Sequence, residues 1–184
     1  MIRGLTQRIH STFDKGLSYD VCMLDDVGDF FVHVELIASP INPADMNMIE
    51  GSYLIQPDCP CILGNECVGR VVAIGSKVTS LSVGDRVIHP FQGKDNWIGF
   101  WRDAWICHED DCFVIPDFID NYQAAMFTIN PMTAYMMLTQ FVSLEKGDVI
   151  IQNLASSAVG RWVVFLARLM GVRTINVVRN DSAI

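Results

Sequence analysis

The stretch that most limits the fold is 148–179, "DVIIQNLASSAVGRWVVFLARLMGVRTINVVR". The apolar run Val149-Ile150-Ile151 within 148–154 predicts a buried strand. "SAVGRWVVFLARLMG" predicts an amphipathic-to-buried helix of about 13 residues, stopped by Gly171. "VRTINVVR" predicts a second strand. Strand, helix and strand within about 30 residues make a βαβ unit, and so a parallel pair of strands. The loop between the first strand and the helix holds Ser156, Ser157, Ala158, Val159 and Gly160. A helix N-terminus there favours an anion, because its dipole and its unpaired amides both point at the loop.

Upstream the texture differs. "FFVHVELIAS" (30–39) predicts a strand from its β-branched and aromatic residues. In "PINPADMNMIEGSY", Asp45 is placed to cap a short helix over 46–50 that ends at Gly51. "CILGNECVGRVVAIGS" spaces glycines at 64, 69 and 75 among Val and Ile, which suits strands with bulges or tight turns. A turn at Gly84-Asp85 leads into another strand. Residues 91–104 read as a long loop, and "AWICHEDDCFVIP" as a strand pair. The opening residues read as the first strand, with a short amphipathic transit segment as the alternative. Residues 1–120 are therefore expected to form an irregular all-β domain, and 121–184 the beginning of an α/β domain. Within 121–142, helical spacing lies on both sides of Asn130-Pro131, predicting one helix ended there and a second beyond it. A doubly wound nucleotide domain has about six parallel strands, and the sequence supplies two. The chain is expected to stop inside a domain, with apolar faces uncovered.

Charge excludes some partners. The formal net charge of −8 argues against nucleic acid or an anionic membrane surface. No apolar run reaches the roughly 20 residues that span a bilayer. Cytoplasm is the first expectation for location, with mitochondria the alternative. The six cysteines, at 22, 59, 61, 67, 107 and 112, lack the C-x-x-C spacing of a zinc site and are read as reduced, mostly buried thiols.

"INPADMNMIEGSY", "LGNECVGRVVAIGSKVTSLSVGDRVI", "NPMTAY" and "DVIIQNLASSAVG" followed by "RTINVVR" together resemble the zinc-free medium-chain dehydrogenase/reductase superfamily. Within it they resemble the 2-enoyl thioester reductases, with the quinone reductases close behind. The resemblance implies a β-rich, chaperonin-10-like (GroES-like), partly open barrel followed by a Rossmann βαβ unit, here truncated. It implies hydride transfer from NADPH to the β-carbon of a conjugated enoyl thioester. An NADPH-dependent quinone or enone reductase is the second reading. A catalytically inactive fragment or interaction subunit is the third. The partner would be a small acyl thioester or enone, and a homodimer joined at the Rossmann sheet edge is the family habit, doubtful if strands are missing.

Zinc-dependent relatives place a histidine ligand in G-H-E, whereas this frame reads Gly64-Asn65-Glu66, and an amide is a poor zinc ligand, so no metal is expected. Tyr53 is the catalytic candidate the resemblance names. Its phenol can hydrogen-bond an enolate-like oxygen or protonate the α-carbon; the plain alternative is a tyrosine packing a loop. Asn47 can line the same substrate pocket, and Trp101, beside Arg102, corresponds to a family position near the substrate channel. Trp97 and Trp105 read as packing residues. Asn130 would reach the nicotinamide region, with Thr133 beside it. Aligned on G-x-G-x-x-G, the loop reads Ala155, Ser157 and Gly160. The third glycine alone survives, the hydroxyls of Ser156 and Ser157 take over from lost backbone access, and the Ala158 methyl crowds the phosphate. Arg179 stands where an acidic residue would hold ribose hydroxyls, and a guanidinium there suits a 2′-phosphate, hence NADPH. His10, His33, His89 and His108 form no nucleophile or metal pattern.

Overall fold

The computed structural model describes residues 1–12, 15–90, 92–93 and 97–179. Part of the expected 91–104 loop, residues 91 and 94–96, lies outside them. The elements are β1 (Ile2–Gln7), β2 (Leu17–Cys22), β3 (Phe31–Ala38), α1 (Pro43–Glu50), β4 (Cys61–Ile62), β5 (Val68–Ile74), β6 (Arg86–Ile88), β7 (Ala104–His108), β8 (Phe113–Val114), α2 (Asn121–Ala125), α3 (Asn130–Thr139), β9 (Val149–Gln152), α4 (Ala158–Met170) and β10 (Arg173–Asn176). They gather into two compact units, Met1–Thr128 and Ile129–Ile184. The boundary expected near 120 falls before α2, which packs on β3 and β5 in the first unit.

The first unit holds an antiparallel three-stranded sheet, β2-β1-β4, and an antiparallel five-stranded sheet, β7-β3-β5-β6-β8. The segment 101–103 ties them together. Leu5 and Asp103 donate backbone hydrogen bonds to Trp101 and Arg3, and Leu36 donates to Asp103. β3 is antiparallel to both neighbours, and its register with β5 slips twice, between His33 and Val34 and between Leu36 and Ala38. These irregularities bend the sheet, as the glycine spacing led one to expect.

Alternation along β3 puts Val32 and Val34 into the core with Val71, Val87, Phe100 and Trp105. Phe100 and Trp105 meet edge to face, with centroids 5.1 Å apart. Gly69 is required by this packing: a Cβ there would lie 2.5 Å from both the Trp105 ring and Val34. "AWICHEDDCFVIP" is not one hairpin. β7 and β8 sit on opposite edges of the five-stranded sheet, separated by a 3₁₀ turn at Glu109–Asp111. The turn takes hold of the structure elsewhere, since the Glu109 carboxylate accepts from the amides of Thr79 and Ser80 and from the Ser80 hydroxyl.

In the second unit β9 and β10 pair in parallel, Val149 opposite Arg173 through Gln152 opposite Asn176. β10 stops at Asn176, so Arg179 lies beyond the strand and not at its last residue. α3 and α4 pack through Ala134, Leu138, Val163 and Ala167, with Val172 beneath them. α4 runs 13 residues and closes on Gly171 in the left-handed conformation, φ 73°. One expectation is corrected here. Asn130-Pro131 does not end a helix; α2 ends at Ala125, and Asn130 begins α3. Proline is at home in the first turn, where its missing N–H would have had no partner.

Candidate functional site

Two groups of candidate residues exist, one in each unit. In the first, a buried polar cluster holds α1. Its N-cap is Asn42, and Asp45 is the third helical residue, so the expectation that Asp45 precedes the helix is corrected. The Asp45 carboxylate accepts from the Asn42 amide at 2.6 Å, the Asn65 amide at 3.1 Å and Asn65 Nδ2 at 2.6 Å. Burial pushes the Asp45 carboxyl up from its ordinary value, opposed by these hydrogen bonds. Beside it, Glu66 accepts from Asn42 Nδ2 at 2.9 Å and from the Thr128 hydroxyl at 3.2 Å. Gln92 completes the set, donating to the carbonyls of Gly64 and Asn65 and accepting from the amides of Ile98 and Gly99.

The cluster joins "NPAD" to "GNE" and fixes where α1 points. The helix ends at Gly51, φ 77°, and the Asn47 carbonyl accepts from the amides of Gly51 and Ser52. Asn47 is exposed on the last turn of α1, and Tyr53, half-buried, follows two residues after the cap. Both lie at the same end of the helix, and their side chains make no hydrogen bond among the described residues of this unit. The Tyr53 carbonyl accepts from Gln56 Nε2 at 2.7 Å, which holds the turn. Trp101 is half-buried, its indole N–H donating to the Pro40 carbonyl at 3.1 Å. Only its ring faces are left to offer a ligand. Trp97 donates to the Ile62 carbonyl at 2.7 Å, and Trp105 is fully buried in the core.

The side-chain amide of Asn65 donates to Asp45 Oδ1 at 2.6 Å and to the thioether Sδ of Met48 at 3.3 Å. Among the described residues no three His, Cys, Asp or Glu side chains lie close enough together to hold a metal ion.

In the second unit the loop after β9 is built around Ser157 and Gly160. Ser157 caps α4, its hydroxyl oxygen accepting from the Gly160 amide at 3.1 Å. The Ser157 hydroxyl proton therefore stays available to an acceptor. A Cβ on Gly160 would lie 2.7 Å from the carbonyl oxygens of both Leu154 and Ala155. This is the glycine that lets the loop fold back on the helix. Leu154 takes a left-handed conformation, φ 49°, and Ala155 is buried. Ser156 and Ala158 are exposed, and Val159 is half-buried. Gln152 was not foreseen: its Nε2 donates to the Gly160 carbonyl at 3.1 Å and to Asn176 Oδ1 at 2.8 Å, tying the ends of both strands to the helix. Arg179 is exposed, and Asn130 is half-buried at the start of α3 with Thr133 exposed one turn on.

Residues 28–117 match the alcohol dehydrogenase GroES-like domain. A mitochondrial enoyl-[acyl-carrier-protein] reductase of Caenorhabditis elegans is 46% identical over 149 residues, 81% of this chain and 42% of that protein. The chain belongs to the medium-chain dehydrogenase/reductase superfamily. The same fold occurs in Etr1p, described in complex with NADP and crotonyl-CoA and, from Candida tropicalis, as the mitochondrial 2-enoyl thioester reductase Etr1p/Etr2p heterodimer. That structure superposes with a TM-score of 0.86 at 30% identity, over 97% of this chain and 54% of that one. An NADPH:quinone reductase from Bacillus thuringiensis superposes with a TM-score of 0.87 at 30% identity, over 98% of this chain and 53% of that one. The chain spans about half the length of these medium-chain reductases.

The signals for these residues divide unevenly along the sequence. Tyr53, Ser157 and Gly160 were visible as motif positions. Asn42 and Glu66 could have been found from the repeated pairing of amide and carboxylate in "NPAD" and "GNE". Gln92 and Gln152 carry no local signal, since each acts on partners distant in sequence.

Proposed function

We propose that this chain carries the catalytic domain and part of the cofactor domain of an NADPH-dependent 2-enoyl thioester reductase. The observation that carries the reading is the Ser157-capped start of α4, folded tightly onto Gly160 after a parallel strand. That loop fits a pyrophosphate. Among the described residues the first-turn amides of Ala158 and Val159 have no backbone acceptor, the Ser157 hydroxyl has a proton to give, and the helix dipole adds positive potential. Arg179, exposed beyond β10, would hold a 2′-phosphate, and Asn130 would face the nicotinamide.

NADPH, when bound, supplies the hydride received by the β-carbon of the enoyl thioester. Tyr53 would hydrogen-bond the carbonyl oxygen as negative charge develops on it and deliver a proton to the α-carbon. Asn47, on the last turn of α1, and the ring of Trp101 would line the acyl pocket. Relatives bearing the mitochondrial name support the mitochondrion over the cytoplasm first expected, and the Etr1p/Etr2p heterodimer supports a dimeric assembly. The likeness to the NADPH:quinone reductase supports a quinone or enone reductase as the second reading.

Oxidation of NADPH with crotonyl-CoA and with a benzoquinone separates the two. A thioester reductase turns over the first much faster than the second. Tyr53→Phe is expected to lower kcat by about a hundredfold with crotonyl-CoA, and Arg179→Ala to weaken NADPH but not NADH. A Tyr53→Phe protein of unchanged kcat would remove the phenol from the mechanism.

A further inference from the structure

Three cysteines of the first unit, Cys67, Cys107 and Cys112, sit in one core cluster and have no place in the reductase reading. Cys107 is on β7 and Cys112 follows the 3₁₀ turn, which brings their sulfurs to 3.4 Å. A cavity of about 380 Å³, lined among others by Phe31, His89, Trp97, Ile106 and His108, reaches Cys107. Cys112 is not on its wall. We propose that Cys107 and Cys112 form an oxidisable dithiol, at which a small neutral peroxide entering this cavity converts the two thiols to a disulfide.

The sulfurs play different parts. Cys107 meets the cavity and is the sulfur that reacts first. The hydrogen bond to Cys107, with burial, pushes the Cys112 thiol well above the ordinary thiol range, so Cys112 holds its proton while Cys107 reacts. His89 supplies the acceptor. Its Nδ1 lies 2.9 Å from the Pro90 carbonyl, which can only accept, so Nδ1 carries the hydrogen and Nε2 is the bare nitrogen. Nε2 is buried with no partner among the described residues, and a peroxide O–H can donate to it.

In the first step the Cys107 sulfur attacks one peroxide oxygen. The O–O bond breaks, the second oxygen leaves as water with the thiol proton, and Cys107 becomes a sulfenic acid. In the second, the Cys112 sulfur attacks the Cys107 sulfur. The S–S bond forms, the S–O bond breaks, and the Cys112 proton leaves with the hydroxyl as a second water. Two thiols lose two electrons, and one peroxide becomes two waters. The sulfurs close from 3.4 Å to about 2 Å, a movement within side-chain reach.

The competing thiols are Cys22, Cys59 and Cys61, all half-buried, the last two one proline apart. The test therefore uses hydrogen peroxide on a Cys22→Ala, Cys59→Ala, Cys61→Ala protein, with peptide mapping under non-reducing conditions. The expected product joins Cys107 to Cys112, lacks two hydrogens, and reverts with dithiothreitol. Adding Cys112→Ala should leave Cys107 as a sulfenic acid that dimedone traps. Should that variant unfold, Cys112→Ser with the same dimedone readout replaces it. His89→Phe should slow the reaction about tenfold, the weight of one hydrogen bond in a rate. A dominant Cys67–Cys107 link, first oxidation at Cys112, or three thiols that stay reduced while Cys59 and Cys61 of the unsubstituted protein react would each overturn the proposal.

Discussion

The two units differ in the depth of their interiors. In the first, eight strands and two short helices enclose Val32, Val34, Val71, Val87, Phe100 and Trp105, each 0% exposed. In the second, Ile151 is 71% exposed, Leu169 70% and Phe141 76%. Among the described residues its sheet has two strands, fewer than an isolated sheet needs for stability of its own, and its core is the seam between α3 and α4. The difference teaches that the first unit is held by a closed interior. The second is held by local geometry: the Ser157 cap, the Gly160 close approach and the Gln152 bridge.

The predictions test that contrast in descending size. Phe100→Ala removes a fully buried ring packed against Trp105 and His89, and is expected to cost about 4 kcal/mol in denaturant unfolding. Gly160→Ala drives a methyl onto two carbonyl oxygens and should cost about 3 kcal/mol. Its effect should appear in amide exchange of β9, α4 and β10, leaving β3 and β5 as protected as before. A loss spread evenly over both units would break the comparison. Asp45→Asn exchanges one of the acceptor oxygens for an NH₂ facing donors, and should cost about 2 kcal/mol even though it removes a buried charge. Ile151→Gln, on the uncovered face, should change stability by no more than about 0.5 kcal/mol; a large loss would show that this face is covered.

The last test uses pH. Burial holds the His89 imidazole below its ordinary value of 6.5. The unfolded chain then takes up a proton first as pH falls through 6.5, and the folded state does not. The His89 contribution to stability is therefore steady above that pH and is lost on acidification below it. His89→Phe should flatten the slope of stability between pH 7 and 5, measured by denaturant titration at each pH. An unchanged slope would mean that the imidazole titrates as freely as in the unfolded chain.

Much of this molecule could be read in advance where the cause is local. The period of the apolar residues and the position of Gly171 gave α4 its length and its stop, because helix stops are set by backbone conformation within one turn. Gly69 and Gly160 were legible as glycines, but the objects they make room for, the Trp105 ring and two loop carbonyls, were not. Asn130-Pro131 misled because a proline marks a helix start and a helix end with the same two letters. Only the orphaned or satisfied state of its N–H distinguishes them.

By itself the sequence determined the β-rich first part, the βαβ unit and the loop of Ser157 and Gly160, since these follow from periodicity, backbone preference and spacing along the chain, whereas Tyr53 was singled out by the family resemblance. The tertiary structure alone decided that β7 and β8 lie on opposite edges of one sheet, that Asp45 anchors Asn65 while closing the cap of α1 from its third position, and that Cys107 touches Cys112 beside a cavity. Those facts depend on which distant residues meet, and contacts of that kind are fixed by packing and by the pairing of buried polar groups, not by any neighbour in sequence.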